Sequence, residues 1–346
     1  MRNSIIDNYI DKYMEYFKPY KKGVWCYEDG ILMTAIYDMY KATGEKKYYD
    51  FVYRFYDGMI SKDGVISSYD PEDYSIDDVC PGICLIKLYR DTPEERFKKA
   101  LDTMYGQMCR HPRTKEGSFW HKQIYPNQVW MDGIYMGVLY VAMYAKEFGI
   151  EESRQDVDKQ LHTLVKRLYD EDRKLFVHAY DEAKVMQWAD KQTGKSPNVW
   201  ARACGWVMMA AVDIYEELGL DICKEILKLE IDGLTPYLED GMLYQLVDIR
   251  KAHNYLETSG SVMMAYGIFK GKKLGMIEDD SLGHKVFDTV IDKQFDGRNL
   301  YNICQVGGLD NYRRDGTFEY YMSENISVNE VKGVAPFIMA YSEICA

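Results

Sequence analysis

The sequence predicts an all-α fold, an (α/α)6 barrel of six helical hairpins, and three observations carry that prediction. Apolar runs start after a glycine again and again, polar amphipathic stretches alternate with them, and the links between the two kinds are alternately short and long.

The first observation rests on six runs: ILMTAIYDMYKATG after Gly30, ICLIKLYRDT after Gly82, IYMGVLYVAMYAKEFG after Gly133, WVMMAAVDIYEELG after Gly205, SVMMAYGIFKGKKLG after Gly260 and VAPFIMAYSEI after Gly333. Their apolar faces are broad and carry small residues at Ala35, Gly137, Ala210, Ala211 and Ala265, the composition of helices packed on most sides. Three of them end on Gly44, Gly149 and Gly219, where a helix C-cap calls for left-handed backbone.

Between them lie the amphipathic stretches, at about 1–18, 45–60, 94–109, 151–169, 221–230 and 283–294. Lys, Glu and Asp occupy one stripe of each and Tyr, Phe, Leu or Met the other. From a buried run to the next amphipathic one the link is a turn; the return links, 61–81, 110–132, 170–204, 231–259 and 295–332, are long. Helices joined by short turns run antiparallel. All long loops, and the N-termini of all six buried helices, therefore lie at one end. Six hairpins closing on themselves make the barrel; an open superhelix of hairpins is the alternative. No linker interrupts the pattern, so residues 1–346 read as a single domain.

Composition narrows the function. A net charge of −12 argues against a nucleic-acid or anionic-membrane surface. No apolar stretch is long enough to cross a membrane. The N-terminal MRNSIIDNYIDKYMEYF is amphipathic, without the apolar core of a signal peptide, so a cytoplasmic protein is expected. The eight cysteines are scattered, and Cys80 and Cys84 have no second pair to make a metal knuckle with. Neither metal nor cofactor is expected: there is no ligand cluster, no Gly-rich phosphate loop, no HExxH and no GxSxG. Monomer and homodimer both remain open.

Chemistry belongs at the loop end. Asp132, in VWMDGIYMG, immediately precedes the third buried helix, among Trp130, Met131, Tyr135 and Met136. A confined apolar setting raises a carboxyl pKa, which suits a general acid. Asp77 and Asp78, in SIDDVCPG, hold the same place before the second buried helix, and paired carboxyls in an aromatic cleft are the equipment of glycoside chemistry. For Asp29 and Glu257, before the first and fifth, helix capping is the favoured reading. Loop 110–132 adds His121 and Lys122, and loop 170–204 adds His178, Trp200 and Arg202, with Trp206 just inside the fourth helix. Aromatic faces stack on pyranose rings, and an Arg fork holds a carboxylate with two hydrogen bonds. Together His121, Lys122, His178 and Arg202 are read as the local positive charge an anionic sugar needs. Tyr320, Tyr321 and Lys332, in EYYMSENISVNEVKG, fall near the rim.

The elements VWMDGIYMG, SIDDVCPG, FVHAYDE, VWARACGW and EYYMSENISVNEVKGVAPF resemble the unsaturated rhamnogalacturonyl hydrolases, family 105 of the glycoside hydrolases, and the related unsaturated glucuronyl hydrolases of family 88. The resemblance runs from about residue 20 to 340 and implies the same barrel. It also implies a small oligosaccharide substrate, a di- or trisaccharide left by a polysaccharide lyase and ending in a 4,5-unsaturated uronic acid. Such enzymes hydrate the enol ether: an acid protonates C4, water adds at C5, and the hemiketal opens to release the uronate. By that resemblance Asp132 is the acid and Asp77 the second carboxylate. His178 and Arg202 lie near the substrate, and Trp130, His121, Trp200 and Trp206 wall the pocket, with Lys122 and Met136 beside them. Two local departures are Cys204 within WARACGW and the doubled aspartate at 77 and 78. An ordinary two-carboxylate glycosidase on the same barrel and a non-enzymatic helical scaffold are the competing readings.

Overall fold

The computed structural model describes residues 2–345. The predicted buried runs are α2 (Tyr27–Thr43), α4 (Pro81–Asp91), α6 (Leu139–Phe148), α8 (Ala201–Leu218), α10 (Thr258–Lys273) and α13 (Val331–Cys345). The amphipathic ones are α1 (Ser4–Glu15), α3 (Lys46–Met59), α5 (Glu95–Arg110), α7 (Glu151–Leu168), α9 (Asp221–Leu234) and α11 (Ser281–Gln294); a short α12 (Phe318–Ser323) lies within the last long loop.

Each inner helix packs on the next, α2 on α4, α4 on α6, α6 on α8, α8 on α10 and α10 on α13, and α13 returns to α2. The ring is closed, so the barrel holds and the open superhelix does not. Because α1 is the outer partner of α13, closure joins the two ends of the chain. Tyr9 meets Phe337 edge-on at 6.4 Å, and the Tyr341 hydroxyl accepts the Asn3 amide at 2.6 Å and reaches Asp7 Oδ1 at 3.0 Å.

The C-caps are as expected: Gly44, Gly149 and Gly219 have φ of +73°, +68° and +62°. The glycines that lead the inner helices have a different reason, which is contact. A Cβ on Gly30 would stand 2.7 Å from Pro81 Cα, and one on Gly260 would stand 2.6 Å from the Ala201 carbonyl carbon. Neighbouring inner helices thus touch backbone to backbone at their N-terminal ends, which draws the loop end of the barrel together.

Three features have no counterpart in the helical pattern. Asp77–Val79 forms a 3-10 turn ahead of α4. Ile134–Val138, directly after Asp132, is π-helical, a geometry that recurs at functional sites. Short two-stranded ribbons also tie the long loops, among them Gln128–Trp130 against Ala179–Asp181. No helix of the described residues is long and apolar enough to cross a membrane.

Candidate active site

The ribbon between loops 110–132 and 170–204 assembles the centre. Its register sets Trp130 opposite Ala179, so the residues flanking the pair, Asp132 and His178, are carried to one point. The Met131 amide donates to the His178 carbonyl at 3.1 Å and locks that register. As a result His178 Nε2 stands 3.3 Å from Asp132 Oδ2.

Neither of those two atoms finds a well-aligned hydrogen-bond partner, although both are buried. They are close enough for an ion pair but turned off line from each other. A facing pair of unsatisfied buried polar atoms in a native fold marks a place where a ligand or water completes the bonding. On its other side, His178 Nδ1 lies 2.7 Å from the Tyr321 hydroxyl. Tyr321 is fully buried and burial pushes its phenol far up, so it keeps its proton. Among the described residues the phenol has no other hydrogen-bond acceptor; it donates to Nδ1, which fixes the imidazole proton on Nε2, facing Asp132.

Aromatic rings enclose this pair. Trp130 meets His178 edge-on at 5.7 Å and stacks on His121 at 4.3 Å, and Tyr125 lies nearly parallel to both, 5.0 Å from Trp130 and 6.4 Å from His121. Trp200 lies against His178 at 4.8 Å, held by its Nε1 donating to Gln245 Oε1 at 3.1 Å.

Asp77 is treated differently. Its carboxylate pairs with Lys122 Nζ at 2.5 Å and lies 3.5 Å from His121 Nε2. Burial works against its charge, but the Lys122 ammonium outweighs it and holds the carboxyl below its ordinary value. Asp78 has no such partner. Burial, then the charge of Asp77, pushes it up to about 6, while its backbone carbonyl accepts Trp25 Nε1 at 2.7 Å. Of the doubled aspartates, Asp77 is therefore the one built into the mouth. Both Asp77 and Asp132 act on His121 and on the phenol of Tyr27, a residue of α2 that no motif singles out.

The expectation of four positive groups needs correction. Burial pushes His121 down to about 4, so it is a neutral ring stacked on Trp130. Lys122 keeps its charge but spends it on Asp77. Arg202 is the free cation among them. It is buried, with its guanidinium 4.8 Å from the Trp200 ring centre. Burial opposes its charge, but the Cys304 thiol, Glu257, Tyr27 and Asp132 overcome that. Its Nη1 bonds the Cys304 carbonyl and lies 3.4 Å from Ser259 Oγ, while Nε and Nη2 have no hydrogen-bond partner among the described residues. Those donors remain for a ligand's carboxylate.

Other predicted residues fall elsewhere. Trp206, one turn below Arg202, is buried against Tyr135 at 4.8 Å, and Met136 is buried in the π-helical turn. They form the floor beneath the mouth rather than its walls. Glu257 caps α10 as expected, accepting Ser259 and Gly260 amides at 3.0 and 2.7 Å. Asp29 does not cap α2; its two oxygens accept the Tyr20 amide at 2.9 and 3.1 Å and pin the preceding loop. Among the described residues no His, Cys, Asp and Glu side chains gather as a metal site.

Comparison with known proteins identifies the family. The family model for Glycosyl Hydrolase Family 88 matches residues 1–346. A family 105 glycoside hydrolase from Clostridium acetobutylicum superposes with a TM-score of 0.93 at 37% identity, covering 98% of each chain. The unsaturated rhamnogalacturonyl hydrolase YesR of Bacillus subtilis is 24% identical over 72% of each chain. An unsaturated glucuronyl hydrolase from Bacillus sp. GL1 shares the fold, with a TM-score of 0.66 at 14% identity over 91% of this chain and 85% of that one. Matched along its whole length by one family model and over nearly all of both chains by a solved family 105 enzyme, the chain belongs to the glycoside hydrolases of families 88 and 105.

Proposed function

We propose that this glycoside hydrolase removes a terminal 4,5-unsaturated uronic acid from lyase-generated oligosaccharides by hydrating the enol ether, with Asp132 as general acid and base. The observation that carries the reading is the unsatisfied pair of Asp132 Oδ2 and His178 Nε2, boxed by Trp130 and Trp200 beside the free donors of Arg202. Arg202 holds the substrate carboxylate. Asp132 gives its proton to C4, and the Nε2–H of His178 stabilises the carboxylate that appears as the proton leaves. That carboxylate then takes a proton from the water adding at C5, and the hemiketal opens to release the rest of the chain.

Asp77, paired with Lys122, is an ion at neutral pH and supplies fixed negative charge near the cation that develops when C4 is protonated. The same pairing counts against the ordinary two-carboxylate glycosidase. A carboxylate bound to a lysine at 2.5 Å is neither a proton donor nor a strong nucleophile. For the saccharide beyond the scissile bond, the YesR relative supports rhamnose, as in the disaccharide unit of rhamnogalacturonan.

The test is loss of the ultraviolet absorbance of the conjugated double bond, on a panel of unsaturated disaccharides from pectin, glycosaminoglycan and algal lyases. Galacturonyl-rhamnose is expected to be consumed fastest. Asp132→Asn should lower kcat by about 100- to 10,000-fold with the fold intact. Cleavage of saturated glycosides with the absorbance untouched refutes the proposal.

A further inference from the structure

A second concave surface opens at the loop end, between the C-terminal half of α1 and the start of α13, with a volume of about 450 Å³. Tyr13, Tyr16 and Tyr20 supply ring faces, and Lys12, Lys18 and Arg298 supply charge. Two properties set it apart from ordinary surface. Tyr16, the residue that closes α1, is 73% exposed, a large ring left in water at the edge of the groove. None of the three cations has an ion-pair partner among the described residues, in a chain whose net charge is −12. A positive, ring-lined groove on an acidic protein fits an anionic saccharide: stacking for the sugar face, Lys and Arg for its carboxylate.

The groove shares a wall with the catalytic mouth. The Tyr20 hydroxyl lies 3.4 Å from Lys332 Nζ, and that ammonium sits over the Tyr20 ring at 4.9 Å. Arg202 acts on both groups across that wall. Asp29 is the carboxylate in the lining, and its oxygens are turned to the Tyr20 amide, holding the wall in place.

We propose that this groove is a distal subsite, taking a further uronic acid residue on the leaving side of the scissile bond. The sugar ring packs on Tyr16 and its carboxylate meets Lys18 and Arg298. The inference rests on the unsaturated-uronyl reading above and adds to it that the preferred substrate is longer than a disaccharide.

The test compares size-defined unsaturated di- and tetrasaccharides of alternating uronate backbone, followed by loss of ultraviolet absorbance. Wild-type kcat/KM should favour the tetrasaccharide by about tenfold, the sum of one ring contact and two exposed ion pairs. Half-molar salt should erase most of that preference. Tyr16→Ala combined with Arg298→Ala should bring the tetrasaccharide-to-disaccharide ratio to about one. Because the wild-type ratio is read first, misfolding of a variant cannot decide the matter. Turnover without length preference, or a preference that survives both substitutions and salt, overturns the groove assignment alone. A change from dimer to monomer in the variant with the length preference intact also overturns it and assigns the groove to an interface between copies. Absence of turnover on every unsaturated disaccharide overturns the uronyl reading, and this assignment with it.

Discussion

Tyr321→Phe isolates one hydroxyl at the centre of the site. The ring stays, so its packing on Tyr320 at 4.9 Å and on Trp200 at 6.3 Å is kept. What disappears is the donor 2.7 Å from His178 Nδ1. His178 is fully buried, so the orphaned nitrogen costs about 1–3 kcal/mol of stability, or about 2–4 °C in Tm per kcal/mol for a domain of this order of size. The kinetic effect has a separate origin. Without the phenol, nothing holds the imidazole proton on Nε2, and the group facing Asp132 becomes a donor in only part of the population. Partners that orient a functional histidine are worth about 10- to 100-fold in activity, so kcat should fall by that factor while KM moves less than about twofold. The assay is the ultraviolet loss on the best disaccharide, beside thermal unfolding. A Tm shift with kcat within about twofold of wild type shows that the hydroxyl only fills the core, and the tautomer argument then fails. A raised KM at constant kcat shows that Tyr321 touches the ground-state substrate, and it fails equally.

Two further predictions concern buried carboxyls. Asp78 is raised from 3.8 to about 6 by burial and by Asp77, so the proton-linked stability it contributes is fully present below the unfolded value and lost as pH rises through about 6. Asp78→Asn should therefore gain on wild type between pH 4 and 7, by about 2 kcal/mol after solvent screening, measured by urea unfolding across pH; a pH-independent difference refutes the assignment. Glu230, on α9, is buried with both oxygens unpartnered, and burial raises it well above 4.5 with only the Cys204 thiol nearby to offset that. Its contribution likewise falls as pH rises through the folded value. Glu230→Leu should stabilise the protein by about 1–4 kcal/mol, more at pH 8 than at pH 5, with activity retained; destabilisation at both pH values counts against a buried, unpaired acid.

The helical frame was legible because helices announce themselves in periodicity. The inner runs, the outer stripes and the left-handed glycines at 44, 149 and 219 all stand where the spacing put them. The end of the barrel that carries the site followed from loop length alone. What the sequence concealed lies in the loops. A ribbon three residues long has no readable alternation, so the register that brings Asp132 to His178 was out of reach. So was the π-helical turn after Asp132, which no propensity marks. Tyr321 was placed near the rim by its motif but is in fact buried behind His178. His121 was read as a cation because residue type carries charge in a sequence, whereas protonation is decided by burial. Trp206 was read as a wall because tryptophans line sugar sites, yet one helical turn below Arg202 it faces the barrel interior. Tyr27 and Gln245 carried no signal beyond their place at the loop end.

The contrast between the two aspartates is the strongest argument for the direction of the chemistry. A group that must lose a proton and take one back cannot sit against a permanent cation, which would hold it as carboxylate throughout. The fold observes that constraint. Lys122 is bound to Asp77, and the Arg202 Nη1 is turned to the Cys304 carbonyl. Asp132 Oδ2 faces a histidine, off line at 3.3 Å, with that histidine's proton assigned from behind by a buried phenol. A two-carboxylate glycosidase asks both acids to titrate or attack; here Asp77 is fixed in charge, which favours the single-acid reading proposed for Asp132. Moving the lysine should therefore be more damaging than removing it. Ile76 leads into the turn that carries Asp77, and its amide donates to the His121 carbonyl at 3.2 Å, so the two loops hold Lys122 on the Asp77 side. Lys122→Ala leaves Asp77 beside neutral His121 and should lower kcat through the loss of order at that carboxylate, whereas any variant that brings a cation onto Asp132 should abolish the reaction outright.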